Sequence, residues 1–188
     1  MTPAPKVAVD WKPRLAREED IPALEALIPV SVRVLQAPYY SAAQMEAALG
    51  PVFGVDKQLI RDGTYFVVEN DAQVVGCGGW SKRKTLFGGD QTKAVEDPLL
   101  NPETEPARIR AFFIHPDYAR RGIAGRIIET CEQAARAAGF TSIELAATLP
   151  GEPLYIAFGY HAIERFDIPL PDGLGLPVAR MRKQIIKN

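Results

Sequence analysis
The chain has 188 residues, 47% of them hydrophobic and 24% charged, with a formal net charge of −1. That length suffices for one domain with its own core, and the near-neutral charge gives no support to nucleic-acid binding as a main role. No apolar run approaches the ~20 residues of a membrane span, no h-region follows Met1-Thr2-Pro3-Ala4-Pro5 to make a signal peptide, and two histidines and two cysteines at no ligand spacing argue against a metal site.

Residues 1–11 read as a flexible N-terminal tail and 12–188 as a single domain. Pro13 to Ala16 can form a first strand. Glu18, Glu19 and Asp20 favour a helix start, and Leu24, Leu27 and Ile28, then Val32 and Leu35, follow a helical period. Pro29 is expected to kink or divide that helix. Ser41 suits the N-cap of a second helix, Ala42 to Leu49, closed by Gly50-Pro51, and a further helical piece runs from about Val55 to Arg61.

Thr64 to Glu69 is rich in β-branched and aromatic residues and reads as a strand. Asn70-Asp71 turns it into a returning strand, Gln73 to Trp80. Gly76, Gly78 and Gly79 within that strand suggest a bulge, or close approach of a ligand or another chain segment. Residues 81–106 form the longest irregular segment, a length usually tied to function or mobility. Beyond the central stretch lie a strand at Ser142 to Ala147, a short helix at Pro153 to Phe158, and strands at Tyr160 to Ile168 and Val178 to Ile185. Cys77 in a strand and Cys131 on a helix's buried face read as reduced core thiols of a cytoplasmic protein.

The stretch from Arg108 to Ala138 organises the chain. An apolar run, Ile109 to Ile114, is broken by His115-Pro116-Asp117 and followed by the basic turn Arg120-Arg121-Gly122-Ile123-Ala124-Gly125. Ile123, Ala124, Ile127, Ile128, Cys131, Ala134, Ala135 and Ala138 then recur at helical spacing, with a Glu132–Arg136 pair on the opposite face and Gly139 at the end. A strand, a glycine turn and a helix start make an anion site, because the first helical amides lack internal partners and the dipole is positive there. Arg120, Arg121 and Arg126 crowd this positive end, where each cation is unfavourable by ~0.3–1 kcal/mol unless an anion binds. The lysine and hydroxyl of a P-loop are missing, and so is the third glycine of a dinucleotide fingerprint.

Ala119-Arg120-Arg121-Gly122-Ile123-Ala124 after Ile-His-Pro resembles motif A of the GNAT (GCN5-related N-acetyltransferase) family, Gln/Arg-x-x-Gly-x-Gly/Ala, with Ala119 departing from the usual Gln or Arg. Leu154-Tyr155-Ile156-Ala157-Phe158-Gly159-Tyr160 resembles the family's Phe-Tyr-x-x-x-Gly-Phe/Tyr signature. The resemblance implies an α/β (α+β) GNAT fold: a mixed, mostly antiparallel sheet of six to seven strands, helices on both faces, and two splayed central parallel strands, here Arg108–Ile114 and Ser142–Ala147. It implies an acetyl-CoA-dependent N-acetyltransferase acting on a primary amine of a small molecule or peptide. The alternative is a non-catalytic acyl-CoA-binding or regulatory module.

By the same resemblance, Arg120, Arg121, Gly122, Ile123, Ala124, Gly125 and Arg126 would hold the pyrophosphate. Phe112, Phe113 and Ile114 would present backbone groups to the pantetheine and acetyl carbonyl, and Tyr155 would serve as the general acid for the leaving thiolate. Tyr39, Tyr40, Trp80 and the 81–106 segment would line the acceptor site, with Asp90, Glu96 and Asp97 available to attract a cationic amine. Glu105, Glu144 and His115 lie near the relevant strands as candidate bases, and water is the alternative. A homodimer is compatible with the fold, and no membrane partner is expected.

Overall fold
Residues 9–90 and 97–185 are described by a computed structural model of the chain. The strands are β1 (Arg14–Leu15), β2 (Tyr65–Asn70), β3 (Gln73–Ser81), β4 (Ala107–Ile114), β5 (Ser142–Thr148), β6 (His161–Pro169) and β7 (Gly175–Gln184). The helices are α1 (Ile21–Leu35), α2 (Ala42–Ala48), α3 (Lys57–Arg61), α4 (Ile123–Ala137) and α5 (Glu152–Ala157). One seven-stranded sheet has the order β1-β2-β3-β4-β5-β7-β6. Only β4 and β5 run parallel among these neighbours.

Strand alternation distributes the apolar side chains to two cores, one on each face. In β2, Phe66 and Val68 join one core while Tyr65 and Val67 join the other. The first core is closed by Ile123, Ile127, Ile128, Cys131 and Ala135 of α4. The second is closed by Leu24, Leu27, Ile28 and Val32 of α1, with α2 and α3 adding Met45, Ala48, Leu59 and Ile60. Helices therefore cover both faces of the mixed sheet.

A bulge in β4 sets the geometry of the centre. Cys77 pairs with Phe113 and Gly79 with Arg110, so the single residue Gly78 lies opposite both Ala111 and Phe112. Ala111 takes up the extra length in the left-handed region, at φ 56°, a conformation costing a non-glycine residue ~1–3 kcal/mol. The buried hydroxyl of Tyr65 donates to the Ala111 carbonyl at 2.7 Å and holds it there. The extra residue also exchanges the faces. Ile109 starts on the α4 side, Ala111 falls on the α1 side, and Phe112 and Ile114 return to the α4 side. Past the bulge β4 leaves β5: the two strands pair only at Ala107↔Ile143 and Arg108↔Glu144.

The glycines of β3 serve close approach of other chain segments. A Cβ on Gly76 would lie 2.6 Å from Ile123, one on Gly78 would lie 2.5 Å from the Phe112 ring, and one on Gly79 would lie 2.6 Å from the Thr64 carbonyl oxygen.

Several local expectations need correction. Pro29 does not divide α1, which runs unbroken from Ile21 to Leu35. The stripe Leu24, Leu27, Ile28 and Val32 stays in phase across it, and burial at ~1.5–3 kcal/mol per side chain outweighs the ~3 kcal/mol cost of an internal proline. Asp56 caps α3 by accepting from the amides of Gln58 and Leu59, so that helix starts after it. The hairpin turn falls on Asp71 and Ala72, both at positive φ, one residue later than expected. Glu132 is buried, not on a solvated face: Lys183 and the Tyr160 hydroxyl donate to it, and Arg136 lies 3.5 Å away. Ala138 is exposed beyond the end of α4. Trp11, placed in the tail by sequence, is buried in the α4-side core and donates from Nε1 to the Arg121 carbonyl at 2.8 Å. Val9 and Asp10 of the expected tail are exposed, and residues 1–8 lie outside the described residues.

Candidate active site
The gap between β4 and β5 opens into a cavity of about 700 Å³. Its walls come from both cores: Phe112, Ile114, Leu145 and Tyr155 from the α4 side, Phe53, Phe113, Ile168 and Val178 from the α1 side. The cavity therefore passes through the sheet from one face to the other.

At one end, Arg120, Gly122, Ile123, Ala124 and Gly125 line it. Gly122 is the N-cap of α4 at φ 88°, and no side chain caps the helix. The first intrahelical bond runs from the Arg126 amide to the Gly122 carbonyl. The amides of Ile123, Ala124 and Gly125 thus precede the first internal acceptor and are available to an anion. Gly122 permits the left-handed turn. Gly125 has another role: a Cβ there would lie 2.8 Å from the Phe158 ring, so its absence lets α5 pack on α4.

The three arginines have separate surroundings. Arg121 stacks its guanidinium over the Tyr118 ring, 5.0 Å from the centroid, and lies outside the lining. Arg126 pairs with Glu129 at 3.1 Å and Asp10 at 3.6 Å, also outside the lining. Arg120 is exposed, lines the cavity and has no ion-pair partner among the described residues.

Tyr155 faces the same cavity from α5. Its ring packs edge-on against Phe112, centroids 6.3 Å apart, and against Tyr160 at 5.7 Å. Its hydroxyl has no hydrogen-bond partner among the described residues. Burial, reinforced by the nearby Cys131, pushes its phenol above the ordinary range, so it stays protonated and remains a donor. Phe112, Phe113 and Ile114 all line the cavity, and the Ile114 amide donates to Ser31 Oγ at 3.2 Å.

The other end is apolar. Leu35, Tyr39, Val52, Phe53, Leu86 and Phe87 line it. Of the three aromatic residues expected around an acceptor, only Tyr39 is in the lining, half-exposed at the rim. Tyr40 is buried, donating to the Pro177 carbonyl and accepting from the Leu149 amide. Trp80 is buried against Phe140 on the α4 side. Both are structural here, because their aromatic surfaces are used up in packing. Sequence reasoning missed Ser31, Gln36 and Phe53, whereas the 81–106 segment expected at the acceptor site contributes its 86–88 stretch. That stretch is held by the buried Arg110, which donates to the Thr85 carbonyl at 2.9 Å and to the Gly88 carbonyl, and pairs with Asp56 at 2.9 Å. A buried charge needs such partners, and an arginine within a strand of apolar residues was the signal that could have found them.

None of the candidate bases lines the cavity. Glu144 is fully buried and receives Arg108 at 2.8 Å, Arg180 at 2.6 Å, and Arg182. Glu105 caps Asn101, and His115 Nδ1 accepts from the Asp117 amide. Asp90 accepts from the Lys57 amide and Asp97 from the Thr85 amide, both away from the lining, while Glu96 lies outside the described residues. No group of side chains suited to a metal ion occurs among the described residues, and no described helix is long and apolar enough to cross a membrane.

Comparison with known proteins bears on this arrangement. The sequence profile of the acetyltransferase (GNAT) family matches residues 31–160. A GCN5-related N-acetyltransferase from Rhodopseudomonas palustris is 21% identical with a TM-score of 0.70, covering 95% of this chain and 98% of that one. The PaiA N-acetyltransferase from Thermoplasma acidophilum, solved in complex with coenzyme A, is 10% identical with a TM-score of 0.59, covering 94% and 99%. The ribosomal-protein-S18-alanine N-acetyltransferase from Escherichia coli is 13% identical with a TM-score of 0.58, covering 93% and 94%. Comparison with curated proteins gives no match.

Proposed function
The chain belongs to the GNAT acetyltransferase family, and we propose that it transfers an acetyl group from acetyl-CoA to a primary amine of a small molecule or peptide. One observation carries the reading. A single cavity brings together the amides at the start of α4 and the hydroxyl of Tyr155, all without hydrogen-bond partners among the described residues. The coenzyme A complex of the structurally similar PaiA enzyme supports the choice of cosubstrate.

Acetyl-CoA supplies an activated acetyl thioester and a thiolate leaving group. The amides of Ile123, Ala124 and Gly125, with Arg120, fit its diphosphate: no side chain caps the helix start and Arg120 has no ion-pair partner among the described residues. The apolar walls from Phe112, Ile114 and Leu145 exclude water along the gap. The acceptor nitrogen donates its lone pair to the carbonyl carbon, the C–N bond forms and the C–S bond breaks. Tyr155 donates a hydrogen bond to the departing sulfur, whose thiol pKa is ~8.5. The proton lost by nitrogen finally reaches that sulfur, through the phenol or water, so protons balance. Water carries the nitrogen's proton away, since no carboxylate or imidazole lines the described cavity.

The hydroxyl presented to the cavity favours an enzyme over a non-catalytic binding module. Two free, buried cysteines, with the Cys77 thiol pushed by burial up to about 12, fit a reducing cytoplasm. Calorimetric titration with acetyl-CoA, coenzyme A and ATP in parallel tests the proposal. Micromolar binding of both coenzyme forms and none of ATP is expected, followed by amine-dependent thiol release. Folded protein that binds no coenzyme A would overturn it.

A further inference from the structure
We propose that Trp11 is a positioning residue for the coenzyme: its indole N–H fixes the orientation of the Arg121–Gly122 peptide and so turns the Gly122 amide towards the diphosphate. The inference rests on the acetyl-transfer reading above and adds a residue from outside the cavity. Trp11 is 6% exposed and is not in the described lining. Its Nε1 donates to the Arg121 carbonyl at 2.8 Å. Its ring packs edge-on against Tyr118, centroids 6.2 Å apart, and the same Tyr118 ring carries the Arg121 guanidinium. Arg126 Nε donates to the Trp11 carbonyl at 3.4 Å. The segment before β1 is therefore tied both to the basic turn and to the first turn of α4.

The geometry of one peptide unit gives this contact its consequence. The Arg121–Gly122 bond is trans, and a trans peptide holds its C=O and N–H on opposite sides. With the Arg121 carbonyl held by Trp11, the Gly122 N–H points away from Trp11. Gly122 lines the cavity, and its amide has no hydrogen-bond partner among the described residues. It joins the amides of Ile123, Ala124 and Gly125 as a further donor for an anion. Rotating that peptide by half a turn would put a carbonyl oxygen where the amide stands, and an oxygen repels a phosphate.

Gly122 does not itself impose the competent orientation. It stands at φ 88°, and a Cβ there would meet no atom within 4 Å, so glycine serves conformation and not space. Glycine populates positive and negative φ about equally, so it permits the peptide to flip either way. Two features oppose the competent turn before the coenzyme arrives. Arg120, a non-glycine residue at φ 62°, is strained, and the converging N–H dipoles of Gly122 to Gly125 repel one another without an acceptor between them. The Trp11 N–H offsets both, and apparent affinity follows the fraction of molecules in the competent state.

Trp11→Phe keeps a ring in the α4-side core and removes the N–H. Calorimetric titration should show coenzyme A bound about three- to tenfold more weakly, the factor that one hydrogen bond supplies. 3′-Dephospho-coenzyme A keeps the diphosphate and lacks the 3′-phosphate, so its affinity should fall by the same factor. β-(3-Benzothienyl)alanine at position 11 has the shape of tryptophan with sulfur in place of the N–H. It should weaken both ligands as Trp11→Phe does, with a melting temperature within ~4 °C of wild type, and it carries the test alone if Trp11→Phe does not fold. If Trp11 only packs, this isostere binds both ligands as the wild type does. Unchanged affinity in a folded variant, or a loss confined to coenzyme A, would overturn the proposal while leaving acetyl transfer standing. Wild-type protein that binds no coenzyme A would overturn both.

Discussion
Replacing Tyr155 by phenylalanine removes one oxygen from the cavity wall and keeps the ring. The edge-on contacts with Phe112 and Tyr160 are made by that ring, at 6.3 and 5.7 Å, and survive the change. The hydroxyl has no partner among the described residues, so folding loses no internal hydrogen bond. The melting temperature should therefore hold or rise slightly, since a 1 kcal/mol change moves it by only ~2–4 °C in a chain of this size. Turnover is different. A hydrogen bond to a charged partner, here the leaving thiolate, contributes ~1.5–3 kcal/mol, and each ~1.36 kcal/mol is a decade in rate. The expected fall in kcat is about ten- to 150-fold. Burial holds the phenol above its ordinary range, so the deficit should be constant from pH 6 to 9. Thiol release at saturating acetyl-CoA gives kcat, calorimetry gives coenzyme A affinity, and thermal unfolding gives stability. Unchanged kcat, or a fall in kcat matched by weaker coenzyme A binding or by a lower melting temperature, would refute the assignment.

Gly78→Ala puts a Cβ 2.5 Å from the Phe112 ring; tipping that ring into the cavity should cost ~1–3 kcal/mol of stability and weaken coenzyme A binding by calorimetry. Glu144→Gln leaves Arg108, Arg180 and Arg182 facing each other. Removing one partner of a buried pair costs ~3–5 kcal/mol, less here because Arg180 and Arg182 are partly exposed, so a melting temperature lower by about 5–10 °C is expected at pH 7. Burial alone would raise the Glu144 carboxyl, but hydrogen bonds from Arg180 and Arg182 outweigh it and hold it below its usual range. Its contribution is complete above the unfolded value of ~4.3 and is lost as pH falls through the folded one, so the deficit of the variant should shrink in acid. In alkali, burial pushes the Cys77 thiol and the Tyr40 phenol up to about 12. Their stabilisation is full below the unfolded values of ~8.5 and ~10 and is lost as pH rises towards 12; urea midpoints that stay flat from pH 8 to 12 would contradict this.

Periodicity made most of the framework legible. The strand of β2 and its return, the α4 stripe ending at Gly139, and the two parallel strands all carry local patterns that tertiary packing then confirms. The failures share a cause: each depended on a partner distant in sequence. Pro29 is tolerated because of what lies beneath α1. Glu132 is buried because Lys183 and Tyr160, far along the chain, reach it. Trp80 and Tyr40 look like acceptor aromatics until the face each occupies is known, and that face follows from sheet register. Gln36 has no sequence signature at all, since a glutamine at a helix end is ordinarily solvated.

The bulge at Ala111 shows most clearly how one illegible residue governs the site. A glycine there would have announced a left-handed position; an alanine does not, and the conformation survives because Tyr65 binds its carbonyl. Two consequences follow from the extra residue. It turns Phe112 and Ile114 towards α4, placing Phe112 beside Tyr155. It also follows the last parallel pair, Arg108↔Glu144, where the side chains themselves are joined at 2.8 Å. The ion cluster thus closes the gap at its base while the bulge opens it above. A uniform parallel ladder between the same strands would pair their backbone groups with each other and leave no passage between the two faces of the sheet.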